Sequence, residues 1–255
     1  GSLRIKSFTM GKIQTIIAVA FGCYFSSCQS KTAKTEAPHT DTLIAASSDS
    51  HIDHDSYHTP YEVLSGLKDG NARFVRALSP SNMSHDSSYS YFDQIAHTRN
   101  EQHPIACILT CMDSRVPPEI IFDQGIGSLF IVRVAGNIED PDVLGSMEYA
   151  VAEKGVTVVV VMGHKNCGAI HAAFDKLNPE NRQLVSLIEH VRADIVPNDQ
   201  PPYDASAKHN VKLTIKNILD GSKTIREKVL KGDVILVGAL YDVSNGTIDW
   251  NTEGW

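Results

Sequence analysis

The stretch Val156-Thr157-Val158-Val159-Val160-Val161-Met162-Gly163-His164-Lys165-Asn166-Cys167-Gly168 decides the fold. Its first half is almost pure valine. β-Branched side chains suit a pleated strand, and an apolar run without polar alternation marks a strand covered on both faces. Its second half turns abruptly to Gly, His, Lys, Asn and Cys. A buried strand that delivers a histidine and a cysteine beyond its carboxyl end fits an open α/β sheet. In such sheets the loops after the strands form the binding crevice.

The neighbouring sequence repeats the pattern. Short apolar runs at residues 105–110, 129–134 and 234–240 read as three more buried strands. Helical spacing of apolar residues fills 142–154, 167–177, 182–195 and 211–230. Strand–helix alternation predicts a mostly parallel central β-sheet flanked by helices. Residues 61–78 carry Val63, Leu64, Leu67, Phe74, Val75 and Leu78 at helical spacing, broken by Gly70, and predict an N-terminal helical arm. Residues 80–91 read as a polar loop. No internal repeat and no second domain boundary interrupts 61–255.

Composition narrows the function. The 255 residues are 42% hydrophobic and 21% charged, as expected of a chain that buries a proper core. A net charge of −7 gives nucleic acid or an anionic membrane no reason to bind, because both reward basic surfaces. No apolar run approaches the roughly 20 residues of a transmembrane helix. Five scattered cysteines make no disulfide framework.

The first thirty residues read as an address. Gly1-Ser2 is compatible with an expression scar ahead of a start at Met10. Lys12, an uncharged stretch over 13–25 and the small pair Ser26-Ser27 then make a secretory signal over 1–27. Cys28 follows that pair and resembles the lipidated first residue of a bacterial lipoprotein; Cys23 is a poorer alternative, and a short buried or amphipathic helix is the plain one. Cleavage removes Arg4, Lys6 and Lys12 and no acid, taking the net charge from −7 to −10. Residues 28–60, rich in Ser, Thr, Asp and His, read as a polar tether. His51, His54 and His58 within it allow a metal-scavenging tract, with a solvated tether the preferred reading. The expectation is an exported protein, periplasmic or membrane-anchored, in a bacterium.

Two strand ends hold the chemistry. The run 105–110 leads into Cys111-Met112-Asp113-Ser114-Arg115, and the valine run leads into His164 and Cys167. Together these supply two thiolates and one imidazole, the donor set of a catalytic zinc site with one position open. A redox disulfide between Cys111 and Cys167, or buried inert thiols, would also account for the cysteines. Asp113 and Arg115 tip the balance: two apart in extended chain, they project to one side, and a guanidinium keeps a carboxylate ionised and oriented. Cys107, four residues before Cys111, reads as a buried leftover.

Cys111-Met112-Asp113-Ser114-Arg115 with His164-x-x-Cys167 resembles the β-class carbonic anhydrases. The similarity extends through Asn71-Ala72-Arg73-Phe74, Arg133-Val134-Ala135-Gly136-Asn137, Glu148-Tyr149-Ala150-Val151 and Gly238-Ala239-Leu240-Tyr241-Asp242-Val243, covering about 61–250. It implies Zn2+ on Cys111, His164 and Cys167, with a fourth-position water deprotonated to attack carbon dioxide and give bicarbonate. It makes Asp113 the acceptor that orients this nucleophile and Arg115 the residue that orients Asp113. Two thiolates cancel the formal charge of zinc, so the water should be less acidic than in a three-histidine site, where its pKa is about 7. Hydration is then expected to rise toward alkaline pH.

The resemblance also implies a substrate pocket with Gln102, Phe130, Tyr149 and Gly168. Gly163 and Gly168 are expected where backbone passes close to metal and substrate, at a helix start that favours anions. Ile108 stands where the bicarbonate-regulated branch commonly has Trp, which points to the plant-like branch. A homodimer or multiple of dimers is implied, with 61–78 as an arm across the partner. No residue identifies itself as a proton shuttle, although His97, His103 and His171 are imidazoles near the motifs. The rivals are hydrolysis of carbonyl sulfide or carbon disulfide on the same site, and a lipid-anchored zinc-binding protein without catalysis.

Overall fold

The computed structural model describes residues 57–78, 91–193 and 203–250, all inside a compact unit spanning Asp49–Trp255. The expected signal, Cys23, Cys28, His51 and His54 lie outside the described residues, as does most of the tether.

Four parallel strands form the sheet: β1 (Ala106–Thr110), β2 (Leu129–Arg133), β3 (Val158–His164) and β4 (Ile235–Tyr241), in the order β2-β1-β3-β4. A two-residue strand, β5 (Ile248–Asp249), adds antiparallel to β4. β1 and β3 are buried along their whole length. Alternation of side chains then feeds two cores. Ile108, Val160 and Met162 pack on the face covered by helices α1 (Pro60–Ala77) and α3 (Pro118–Ile121). Cys107, Leu109, Val159 and Val161 pack on the face covered by α4 (Pro141–Glu148), α7 (Tyr203–Gly221) and α8 (Lys223–Lys231). This is why the valine run shows no polar alternation. A helix α2 (Tyr91–Thr98), absent from the sequence reading, lies before β1, and α5 (Gly168–Phe174) and α6 (Arg182–Ala193) follow β3.

Two expectations change. Gly70 does not break the first helix: α1 runs through it, capped by Thr59, whose hydroxyl accepts from the Glu62 N–H while Glu62 reaches back to the Thr59 N–H. Gly70 is needed there because a Cβ would stand 1.9 Å from the Phe122 carbonyl oxygen. α1 also packs on its own chain, with Val63 and Leu67 buried in the core beside Ile108 and Phe122. The single helix expected over 211–230 is two helices, because Ser222 turns inward to cap α8 at the Ile225 N–H and donates its hydroxyl to Glu148 Oε1 at 2.6 Å. Among the described residues no helix is long and apolar enough to cross a membrane.

Candidate metal centre

Parallel pairing of β1 with β3 puts Thr110 beside Met162, so both chains leave the sheet at the same edge and level. Thr110 ties the edge together by donating its hydroxyl to the Met162 carbonyl at 2.7 Å. One residue on from Thr110 is Cys111; His164 ends β3; Cys167 precedes the first turn of α5. All three side chains are buried, and their ligand atoms lie within 4.8 Å of one another. The two sulfurs are 3.9 Å apart and both thiols are free.

His164 is set up as a ligand. Its Nδ1 lies 2.9 Å from the Lys165 carbonyl, which can only accept, so the ring proton sits there. Nε2 is left as a buried lone pair with no partner. An unpaired buried acceptor costs on the order of 1–3 kcal/mol, and a metal ion is the partner that two adjacent sulfurs suggest. The thiols point the same way. The Cys111 thiol is held well below the usual range, first by a hydrogen bond from Cys167 and also by the Gly136 N–H, 3.4 Å from its sulfur. Cys167 is pushed the other way, because its proton is held in the hydrogen bond to Cys111, because it is buried, and because a second negative charge would stand against the first. Protons alone therefore let one thiolate form, whereas a dication would hold both. The residues present fit Zn2+, whose preferred donors are thiolate and imidazole.

Asp113 stands just outside this triangle, with Oδ2 3.9 Å from His164 Nε2. Arg115 grips it by both oxygens, Nε to Oδ1 at 3.0 Å and Nη2 to Oδ2 at 2.7 Å, and adds its backbone N–H to Oδ1 at 2.9 Å. The guanidinium also donates to the Asn166 carbonyl at 3.0 Å, joining the two motif loops. These bonds from Arg115 hold the Asp113 carboxyl at about 2. It stays ionised, and it is turned toward Arg115 instead of joining the ligand set.

The carbonic anhydrase family model matches residues 106–248, more than half of the chain. The chain belongs to the carbonic anhydrase family. Carbonic anhydrase 2 of Mycobacterium tuberculosis (strain H37Rv) is 35% identical over 193 residues, 73% of this chain and 90% of the relative. The carbonic anhydrase of Mycolicibacterium smegmatis is 34% identical over 198 residues, 74% of this chain and 92% of the relative. Among solved structures, the β-carbonic anhydrase CcaA superimposes with a TM-score of 0.55 at 26% identity, covering 69% of this chain and 85% of that one. A tetrameric β-carbonic anhydrase from Sordaria macrospora gives 0.51 at 25%, covering 70% and 96%. The fold and the Cys–His–Cys group place this chain in the β class.

Not every residue singled out in the sequence reaches the centre of this carbonic anhydrase. Gln102 is exposed before β1, at the amino edge of the sheet, whereas the ligands lie at the carboxyl edge. β1 itself separates them, about 3.3 Å per residue. Phe130, near the amino end of β2, meets Tyr149 edge to face at 6.2 Å. The two line an open cleft of about 680 Å³ with Ile131, Arg133, Pro141 and Ser146. Strand direction sets Gln102 and Phe130 toward the amino edge, and Tyr149, at the end of α4, packs on Phe130.

Gly163 also differs from expectation. A Cβ on Gly163 would come within 2.7 Å of Val211 in α7, so the close approach is to a helix rather than to metal or substrate. Gly168 faces open space, and the first N–H groups of α5, from Ala169 and Ile170, are directed at the Cys167 sulfur. His171 is stacked on Tyr203, ring centres 3.7 Å apart; His103 lies 3.6 Å from Glu101, and His97 bonds the Asp93 carbonyl. Ile108 is buried in β1.

Two working parts carried no assigned role in the sequence. Arg133 clamps the ligand loop, donating Nε to the Cys111 carbonyl at 3.1 Å and Nη2 to the Asp113 carbonyl at 2.5 Å. Gly136 gives its N–H to the Cys111 sulfur from a left-handed backbone, φ 74°. The only sequence signal for either is membership of the matched stretch 133–137.

Proposed function

We propose that this protein catalyses the reversible hydration of carbon dioxide to bicarbonate and a proton, with zinc held by Cys111, His164 and Cys167. The observation that carries the reading is the buried triangle of two sulfurs and the free Nε2 of His164, with ligand atoms within 4.8 Å. Zinc bound there supplies the Lewis acidity that makes a water nucleophile available near neutral pH. The protein does the rest by orientation and charge. Asp113, acceptor-only while ionised, accepts a hydrogen bond from the reacting water beside the triangle and so directs its lone pair at the substrate carbon. Arg115 keeps Asp113 ionised and aimed. Arg133 and the Gly136 N–H hold the Cys111 loop still while charge changes nearby.

The test is zinc content measured together with carbon dioxide hydration. One zinc per chain and hydration that rises toward alkaline pH are expected for the wild type, with both lost in His164→Ala. Full hydration by the zinc-free variant overturns the reading, and turnover confined to carbonyl sulfide or carbon disulfide would move it to the related hydrolase.

Assembly and location extend the proposal. The tetrameric Sordaria relative and the apolar surface left on α2 at Phe92 and Ile95 support a dimer or a multiple of dimers. We infer that in such an assembly Gln102, Phe130 and Tyr149 serve a neighbour's centre. Export as a lipoprotein rests on residues 1–28 alone, and Cys28→Ala should release the protein from membranes.

A further inference from the structure

The Cys111 sulfur takes a backbone hydrogen-bond donor that must be aimed at it. That donor is the N–H of Gly136, the residue with the fewest steric limits on its backbone. Gly136 stands at φ 74°, ψ 12°, inside the short turn Ala135–Asn137. A side chain there is excluded, since a Cβ would lie 2.7 Å from Val191 and 3.4 Å from Ala169. The turn therefore needs a glycine, and the glycine needs an outside restraint to keep its N–H on the sulfur.

Helix α7 supplies it. Asn210, buried at 1% exposure, donates Nδ2 to the Gly136 carbonyl at 2.7 Å. One turn further along the same face, Thr214 donates to the Asn137 carbonyl at a longer 3.4 Å. Asn210 holds the peptide on one side of Gly136 and the Cys111 sulfur takes the N–H on the other. Fixing the carbonyl fixes ψ, and with φ confined by packing this fixes the direction of the N–H.

We propose that Asn210 is a positioning residue for the metal centre, acting through Gly136 to keep a hydrogen bond on the Cys111 sulfur. It touches neither metal nor substrate. A hydrogen bond to a thiolate draws electron density from it, so the sulfur donates less to the metal and the metal keeps more Lewis acidity. The inference rests on the zinc reading and concerns a residue 99 positions beyond Cys111 that no spacing pattern connects to it.

The experiment uses the full chain loaded with cobalt(II) in place of zinc, where the thiolate-to-metal charge-transfer band reports directly on sulfur donation. Asn210→Leu removes the donor at similar volume. The band should move to longer wavelength, and hydration by the zinc form near neutral pH should fall about 10-fold or more, recovering toward alkaline pH. Asn210→Asp, which turns a carboxylate on the Gly136 carbonyl, serves the same purpose if Asn210→Leu does not fold. Thr214→Val is the comparator and should lower stability while leaving the band in place. In the wild type loaded with cadmium-113, the Gly136 amide proton should show scalar coupling to the metal. Cobalt-loaded Asn210 variants with the wild-type band, an equal shift in Thr214→Val, or no coupling at Gly136 would each overturn the proposal. A wild type that binds no metal at the three ligands would instead sink the zinc reading, so the two failures are distinct.

Discussion

Two cysteines four residues apart, one in β1 and one in the loop after it, have opposite properties. Cys107 lies in β1 among apolar neighbours, and burial pushes its thiol up to about 12. Cys111, four residues on, leaves the sheet into a loop where hydrogen bonds from Cys167 and the Gly136 N–H hold its thiol well below the usual range. Environment, not residue type, makes one inert and the other a ligand. The same logic applies to Asp113, whose role depends on a full negative charge kept by Arg115. Asp113→Asn is expected to retain zinc and to lose about 10- to 100-fold of hydration, measured as zinc content beside turnover. Near-normal turnover would mean that the carboxylate does not orient the nucleophile.

At the scale of elements, two joints hold the layers around the sheet. In α1, Gly70 passes against the Phe122 carbonyl, and Asn71 beside it donates to the Ile121 and Gly246 carbonyls at 3.2 and 2.9 Å. Gly70→Ala gains about 1 kcal/mol of helix propensity. Overpacking costs about 1–3 kcal/mol, and a clash with backbone has no rotamer to relieve it. The loss should prevail, lowering the urea midpoint; a variant more stable than wild type would show that α1 can shift. The α7–α8 break is the second joint. Ser222→Ala removes a cap worth about 1 kcal/mol and strips Glu148 of its hydroxyl donor, so a loss of about 1–2 kcal/mol is expected in the same assay.

The whole molecule shows its charge design in acid. Lys165, just past β3, donates to Asp242, just past β4, at 2.8 Å, joining the ends of two central strands next to the metal loops. That bond, with help from Ser244, holds the Asp242 carboxyl at about 2 against an ordinary 3.8. A folded value below the unfolded one means the contribution is complete above about pH 4 and is lost as pH falls toward 2. Asp242→Asn should therefore flatten the fall in stability across that window, read from urea midpoints at stepped pH. An unchanged slope would assign acid unfolding to other carboxylates.

Much of this protein was legible in the chain itself. A run of valines ending in His164 and Cys167 reads as a buried strand delivering both residues to one edge, because β-branched residues and the period of a strand are local physics. Cys111 and its Asp113–Arg115 pair were legible for the same reason. What only the tertiary structure decided came from contacts between distant segments. The 3.9 Å approach of the two sulfurs, the grip of Asn210 on Gly136 across 74 positions and the Ser222–Glu148 bond leave no local pattern. The placement of Gln102 and Phe130 toward the amino edge of the sheet was likewise hidden, because it follows from strand direction in the assembled sheet and not from the residues themselves.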